Sequence, residues 1–324
     1  MYSTTITPAF LVSVATVKFT NGTDITNYFK TKTGSDFITW FNLTIANKGN
    51  WSKIKMATDT NALHRFNLIW DQIPFLFGTS SINLFQFISL MSIINNETGG
   101  QLIPVTEKVG LAGNPGLAYA FNKIALIKSS YNTLNSNKTA FDLFHNADYK
   151  LQHGTLALAN TLKDTTDINW KGEIYPTGMD TSTDPLKTGF IQEADFFKFR
   201  GRGFIQTTTR SNYCLLIDFI MHYTGTNTII KQYQSKWQGK TTDTIATISS
   251  NKDWNELFQN TDLIIPTYAI NLHNKAGGNY LGKINLQLGV DENIKKTGKI
   301  ISGGKAYSEL FLKRVIQIAD ALGN

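Results

Sequence analysis

A single carboxylate at the end of an apolar segment is the clearest candidate for chemistry in this sequence. Glu97 follows residues 81–96, in which apolar side chains cover most of the circumference of a predicted helix. Gly99 and Gly100 are expected to end that helix. The helix dipole and the apolar packing both disfavour ionisation of a carboxyl in the last turn, so we expect a raised pKa for Glu97, as a general acid requires. The alternative is a surface glutamate beside a helix C-cap.

A second segment, residues 196–213, concentrates aromatic rings, arginines and small hydroxyl side chains. Aromatic rings and guanidinium groups together suit a groove that binds sugars. A dinucleotide site is not expected, because Gln206 replaces the third glycine of the G-x-G-x-x-G pattern. The alternative is a nucleic-acid patch, since four cations lie close together, but the same mixture occurs on sugar-binding surfaces. These cations are Lys198, Arg200, Arg202 and Arg210. We expect no nucleic-acid partner.

The composition describes a globular and basic chain. Of its 324 residues, 17% are charged and 41% are hydrophobic, which excludes an intrinsically disordered protein. Its longest apolar run is too short for a membrane span, so none is expected. The 31 Lys and Arg against 24 Asp and Glu leave a net charge of +7, which favours an anionic polymer as partner. Charge alone does not choose among nucleic acid, a membrane surface and an acidic cell wall.

The sequence contains neither a recognisable secretory signal nor a typical metal-binding pattern. The first residues lack the pattern of a secretory signal, and one cysteine, Cys214, cannot form an internal disulfide, so synthesis in a reducing cytoplasm is expected. The five histidines show no ligand spacing typical of a metal site. We expect neither a metal nor a cofactor.

The chain as a whole is predicted to be mainly α-helical. Apolar residues at helical spacing predict helices near residues 57–77, 81–98, 211–223, 263–273 and 307–322. Residues 10–17 and 37–45 are rich in β-branched and aromatic residues between turn signals, so they are interpreted as strands. This pattern indicates a small N-terminal module of some β content over residues 1–55, followed by a helical domain over residues 56–324.

Two motifs of this chain resemble those of the glycoside hydrolase family 19 chitinases and their phage endolysin relatives. The first reads Asn96-Glu97-Thr98-Gly99-Gly100, and the second runs from Phe199 through Arg200-Gly201-Arg202-Gly203 to Asn212-Tyr213. Two later segments, residues 260–271 and 301–304, are similar to the later motifs of that family. The resemblance covers residues 57–324 in order. It implies a lysozyme-like, two-lobed α-helical domain.

The resemblance also implies roles for individual residues. Glu97 takes the position of the general acid, Glu107 that of the general base, and Thr208 that of the hydroxyl that holds the attacking water. Glu173 and Glu193 are alternatives for the base. Five residues are expected to line, brace or support the substrate cleft: Arg202, Gln206, Asn212, Tyr213 and Ser302. Two departures put activity in question, because Asn96 replaces the usual His and Ser302 replaces the usual Asn.

The expected function is therefore that of a cell-wall glycan hydrolase, an endolysin or a virion-associated lysin. The resemblance implies inverting hydrolysis, which requires roughly 6.5–9.5 Å between the two carboxyl groups. The expected substrate is the β-1,4-linked glycan of bacterial peptidoglycan. A chitinase and a catalytically inactive wall-binding or structural virion protein are the alternatives. Residues 1–55 are expected to dock to a phage tail or injection machine that delivers the protein to the wall.

Overall fold

A computed structural model describes residues 6–107, 109–111, 114–115, 146–148, 151, 198–285, 290–302 and 305–323. Helices account for most of this part of the chain, which confirms the predicted mainly α fold. The described residues divide into two compact units. The first unit comprises the described parts of residues 1–105, 203–205 and 262–324, and the second those of residues 106–202 and 206–261. Among the described residues, no helix combines the length and the apolar character that crossing a bilayer requires.

The first unit contains most of the described helices. Its elements are α1 (Pro8–Ser13), β1 (Lys18–Phe19), α2 (Gly22–Thr33), α3 (Phe37–Thr44), a 3-10 turn (Gly49–Trp51), α4 (Ala62–Trp70), α5 (Ile73–Phe77), β2 (Ile82–Asn83), α6 (Leu84–Thr98), α11 (Ile264–Ala276), α12 (Val290–Ile301) and α13 (Lys305–Ala321). Strands β1 and β2 pair antiparallel. Helices α12 and α13 pack extensively against each other, and both contact α6.

The predicted strands at residues 10–17 and 37–45 are wrong, because both segments contain helices. Thr7 and Asp36 act as N-caps: their side chains accept hydrogen bonds from the N–H groups of Phe10 and Thr39. Pro8 at the first position of α1 favours the same outcome. In α3 the buried side chains recur at helical spacing, at Phe37, Ile38, Trp40 and Phe41. Capping and spacing outweigh the strand preference of the individual residues.

The described residues of the N-terminal segment also do not form a module with its own core. Phe10, Phe29, Phe41 and Trp51 belong to the same hydrophobic cluster as the side chains of α6. The ring of Phe10 contacts that of Phe85 edge-on at 6.0 Å between centroids. The predicted domain boundary at residue 55 therefore lies inside the first unit, and the reason for expecting a separate docking module is removed.

The second unit contains Gly201 and its neighbours up to Arg202. Its described elements include part of β3 (Val105–Thr106), β4 (Val109–Leu111), β5 (Asn114–Pro115), part of β6 (Arg202–Gly203), α7 (Arg210–His222), α8 (Thr228–Lys236), α9 (Thr242–Ile248) and α10 (Asn251–Gln259). A buried aromatic group forms its core, with Tyr213 and Trp254 edge-on at 4.6 Å between ring centroids. Phe199 and Trp237 extend this group.

Candidate functional site

Helix α6 positions Glu97 through strong signals at both of its ends. At the N-terminus, Asn83 and Gln86 form a capping box in which each side chain accepts a hydrogen bond from the other's backbone N–H. At the C-terminus, Gly99 adopts a left-handed conformation with φ 59°. Gly100 has φ 81°, and a Cβ there would collide with the carbonyl oxygen of Lys55. The two glycines end the helix after Thr98, one residue beyond Glu97, as predicted.

The carboxyl of Glu97 is half-buried, and its burial is the main influence on its ionisation. Loss of hydration raises the pKa of Glu97, as the sequence predicts. Three neighbours act in the opposite direction, namely Asn96, Ser302 and the positive charge of Arg314. The Asn96 Nδ2 group donates a hydrogen bond to Glu97 Oε1 at 3.1 Å. The carboxyl therefore holds its proton more strongly than an exposed glutamate, while groups that stabilise the carboxylate are already in place.

Arg314 of α13 fixes the orientation of the Asn96 side chain. Its Nη1 donates to Asn96 Oδ1 at 2.9 Å, so the amide nitrogen of Asn96 must point toward Glu97. Arg314 is only 5% exposed, and burial lowers the pKa of its guanidinium to about 10. The group remains charged near neutral pH and supplies a positive charge close to Glu97. This arginine was not predicted from the sequence.

Ser302 lies beside Glu97. It follows α12, and its backbone N–H donates to the Gly298 carbonyl at 3.1 Å. Its hydroxyl lowers the pKa of Glu97, although the geometry falls short of an ordinary hydrogen bond. Among the described residues this buried hydroxyl has no other hydrogen-bond partner. The Ser302 hydroxyl therefore acts on Glu97 from a buried position.

Glu107 is held by the backbone around Gly201. The Glu107 N–H donates to the Gly201 carbonyl at 2.8 Å, and the Gly201 N–H donates to Glu107 Oε2 at 3.1 Å. Burial raises the pKa of Glu107, whereas the Gly201 N–H and the charge of Arg200 lower it. An added Cβ at Gly201 would lie 2.7 Å from Gln206 Oε1 and 3.1 Å from Glu107 Oε2. Glycine at position 201 therefore lets these two predicted site residues approach the backbone.

Arg202 braces the segment, which is one of the roles expected for it, and its buried side chain does not reach solvent in this conformation. It is fully buried, and its guanidinium donates to five acceptors. They are Asn255 Oδ1, Lys198 O, Arg200 O, Tyr213 Oη and Asn251 Oδ1. Tyr213 is also fully buried, and its hydroxyl donates to the Arg200 carbonyl at 2.7 Å. Both side chains support the backbone at Lys198 and Arg200 from the buried side.

Thr208 and Asn212 lie at the surface of the second unit. The Thr208 hydroxyl donates to the Phe199 carbonyl at 3.0 Å, which leaves its oxygen lone pairs able to accept from water. The Asn212 amide donates to the Thr208 carbonyl at 2.8 Å and fixes the turn that leads into α7. Gln206 has a left-handed backbone with φ 54°, which aims its side chain at Gly201. Thr208 is therefore suited to hold a water molecule.

Two of the four predicted catalytic carboxylates lie among the described residues. Glu97 belongs to the first unit and Glu107 to the second. Their predicted separation stays a prediction. The alternative bases, Glu173 and Glu193, lie outside the described residues. Within the described part of the chain, no group of three or more His, Cys, Asp or Glu residues is placed to hold a metal ion.

The sequence does contain a signal for the arginine that reasoning from motifs missed. Arg314 lies three residues after Phe311 and four before Ile318, on the apolar stripe of α13. A cation within such a stripe is expected to be paired or to serve a site. Gln317 occupies the same stripe and is fully buried.

Comparison with known proteins finds no match to this chain, whether among family models, curated proteins or solved structures.

Proposed function

We propose that this protein hydrolyses the β-1,4 glycosidic bonds of bacterial peptidoglycan with inversion, and that Glu97 is the general acid. The observation that carries the proposal is the environment of Glu97. Burial raises its pKa, and Asn96, Ser302 and Arg314 surround it with groups that stabilise its ionised form. A general acid needs both properties, because it must hold a proton before the reaction and bear a negative charge after it.

The proposed reaction transfers one proton at each of two places. Glu97 gives its proton to the glycosidic oxygen while the bond from that oxygen to the anomeric carbon breaks. A water molecule adds to the anomeric carbon from the opposite face and loses a proton to a second carboxylate. The Asn96 amide, 3.1 Å from Glu97 Oε1, then stabilises the new carboxylate. The products are two shorter glycans, one of which has a new reducing end.

Glu107 is the proposed general base. Its carboxyl is anchored by the Gly201 N–H at 3.1 Å, and the charge of Arg200 favours its ionised form. Burial increases its affinity for a proton, which suits a group that must take one from water. Thr208, with a hydroxyl that can accept from water, is proposed to hold the nucleophile. Glu173 and Glu193 remain alternatives for the base.

Peptidoglycan is preferred over chitin as substrate because of charge. The chain carries +7, and peptidoglycan bears carboxylates that neutral chitin lacks. The resemblance to chitinases and phage endolysins fits both polymers. We propose action on the bacterial cell wall, with delivery inside a phage virion as one route.

A passive role is the second candidate function, and a specific observation favours it. Asn96 and Ser302 both lie at Glu97, where the family pattern has His and Asn. A wall-binding or structural virion protein that lost its chemistry would tolerate these changes. Such a protein would still bind the glycan.

The release of new reducing ends separates the two functions. Purified full-length protein is incubated with purified peptidoglycan and, in parallel, with chitin, and the products are reduced and identified by mass spectrometry. Hydrolysis predicts new reducing sugar ends from peptidoglycan at a higher rate than from chitin. Binding to peptidoglycan without new reducing ends contradicts the proposal and supports the passive role. Faster release from chitin contradicts the proposed substrate.

A further inference from the structure

The 3-10 turn in the N-terminal segment is bonded to helix α13. The 48–51 turn, defined here as residues Lys48 to Trp51, contacts Gln317 through two hydrogen bonds. Gln317 Nε2 donates to the Lys48 carbonyl at 3.0 Å, and the Asn50 N–H donates to Gln317 Oε1 at 3.0 Å. Gln317 is fully buried, so water does not compete for these bonds. These two bonds therefore fix the position of the turn against the helix.

The same turn holds the guanidinium of Arg314. Arg314 Nε donates to the Asn50 carbonyl at 2.9 Å. The guanidinium carbon lies 4.9 Å from the ring centroid of Trp51, within the range of a cation–π contact. Trp51 is fully buried, and its ring N–H reaches the Arg314 carbonyl at 3.4 Å. These contacts leave Arg314 little freedom to rotate.

The immobilised arginine also makes a hydrogen bond that leads to Glu97. Its Nη1 donates to Asn96 Oδ1, and this bond forces the Asn96 amide nitrogen toward Glu97 Oε1. A continuous series of hydrogen bonds thus runs from the Asn50 carbonyl through Arg314 and Asn96 to the carboxyl. Residues 1–55 are the part of the chain that the family resemblance does not cover.

We propose that the 48–51 turn positions the reacting carboxyl of Glu97, by holding Arg314 where its guanidinium fixes the Asn96 amide against that carboxyl. The inference rests on the proposed function for the identity of Glu97 as the acid. Trp51 and Asn50 are then positioning residues, because they act on Glu97 through Arg314. The charged and titratable groups that act on this pair are Glu97 and Arg314 themselves and Tyr307 of α13, which acts on Arg314.

A titration of Glu97 tests this positioning without any need for hydrolysis. The carboxyl carbon of Glu97 is followed by ¹³C NMR against pH in the full-length wild type and in Trp51→Phe, Gln317→Met and Arg314→Met. Arg314→Met removes the positive charge, so the pKa of Glu97 is expected to rise. Trp51→Phe and Gln317→Met loosen the hold on Arg314, so they are expected to shift the pKa of Glu97 upward by a smaller amount.

Trp40→Phe is the matched control. Trp40 belongs to the same unit, is 6% exposed and packs against Phe29 and Phe37. Trp40→Phe makes the same chemical change as Trp51→Phe. In the Trp40→Phe variant, Glu97 is expected to titrate as in the wild type. The inference is overturned if Trp51→Phe and Gln317→Met titrate like the wild type while Arg314→Met shifts upward. It is also overturned if Arg314→Met itself leaves the pKa of Glu97 unchanged.

A measurement on the unaltered protein covers the case in which a variant fails to fold. The Arg314 Nε–H is buried and bonded to the Asn50 carbonyl, so its exchange with solvent is expected to be slow. Exchange as fast as that of an arginine side chain in a short unstructured peptide overturns the inference. The expected titration shifts without peptidoglycan hydrolysis contradict the proposed function alone. Hydrolysis by the wild type without any titration shift contradicts the positioning alone.

Discussion

Arg314 determines which way the Asn96 amide faces, because Arg314 Nη1 donates to Asn96 Oδ1 at 2.9 Å. The amide nitrogen is thereby committed to Glu97 Oε1. The asparagine at position 96 therefore acts as an oriented donor, although the family pattern has His there. In this way a departure from the pattern is compatible with the proposed role of Glu97 as general acid.

Asn96→Asp tests the oriented donor directly. The substitution removes the N–H that favours the carboxylate and adds a like charge, so the pKa of Glu97 is expected to rise. The basic limb of the pH–rate profile should then move to higher pH, because the acid keeps its proton longer. Profiles of the wild type and the variant on peptidoglycan measure the shift. An unmoved basic limb contradicts the assigned role of Asn96.

Arg202→Met tests whether Arg202 is a brace. The variant removes the guanidinium hydrogen bonds to several buried acceptors, among them Asn251 Oδ1 and the Lys198 carbonyl. A loss of more than about 3 kcal/mol of unfolding free energy is expected in urea denaturation. The same change at Arg65, which pairs with the half-exposed Asp59, should cost much less, because water screens that ion pair. A stable Arg202→Met protein with a raised KM would instead support substrate contact.

Gly201→Ala tests the close approach of Glu107 to the backbone. The new methyl would displace Glu107 Oε2 and Gln206 Oε1, which are the ends of flexible side chains. The hydrolysis rate is therefore expected to fall at least about tenfold while the melting temperature changes little. Gly282→Ala is the control, because its methyl meets the Asn279 side chain instead. Full activity of Gly201→Ala argues against Glu107 as the base.

The raised pKa of Glu97 also predicts how Glu97→Gln changes stability with pH. Between the ordinary pKa of glutamate and the raised pKa in the fold, the folded protein binds more protons than the unfolded chain, so wild-type stability falls as pH rises. Glu97→Gln has no ionisable group at this position, so it does not lose stability with rising pH for this reason. Its stability advantage over the wild type should therefore grow as pH rises from about 4 toward neutral. An advantage that shrinks with rising pH contradicts the raised pKa.

Sequence reasoning succeeded where local signals and burial agree. Helix α6 was predictable because its apolar residues exclude a surface position and two glycines end it after Glu97. The raised pKa of Glu97 followed from the same features. The helices α1 and α3 were missed because strand preferences were given more weight than the N-caps Thr7 and Asp36.

The partners of Glu97 could not be predicted because they come from distant parts of the chain. Asn50 and Arg314 are 264 positions apart in sequence and meet only after folding. Ser302 could be placed near the acid only through the resemblance. The burial of Arg202 could not be predicted either, because the sequence motif does not indicate which way the side chain points.

The most direct test of the account is the rate at which Glu97→Gln releases reducing ends from purified peptidoglycan, compared with Glu309→Gln. Glu309 is 59% exposed, belongs to the same unit and undergoes the same loss of charge. The account predicts that Glu97→Gln lowers the rate by about 10²–10⁴-fold while Glu309→Gln keeps the wild-type rate. A Glu97→Gln protein that degrades peptidoglycan at the wild-type rate contradicts the account.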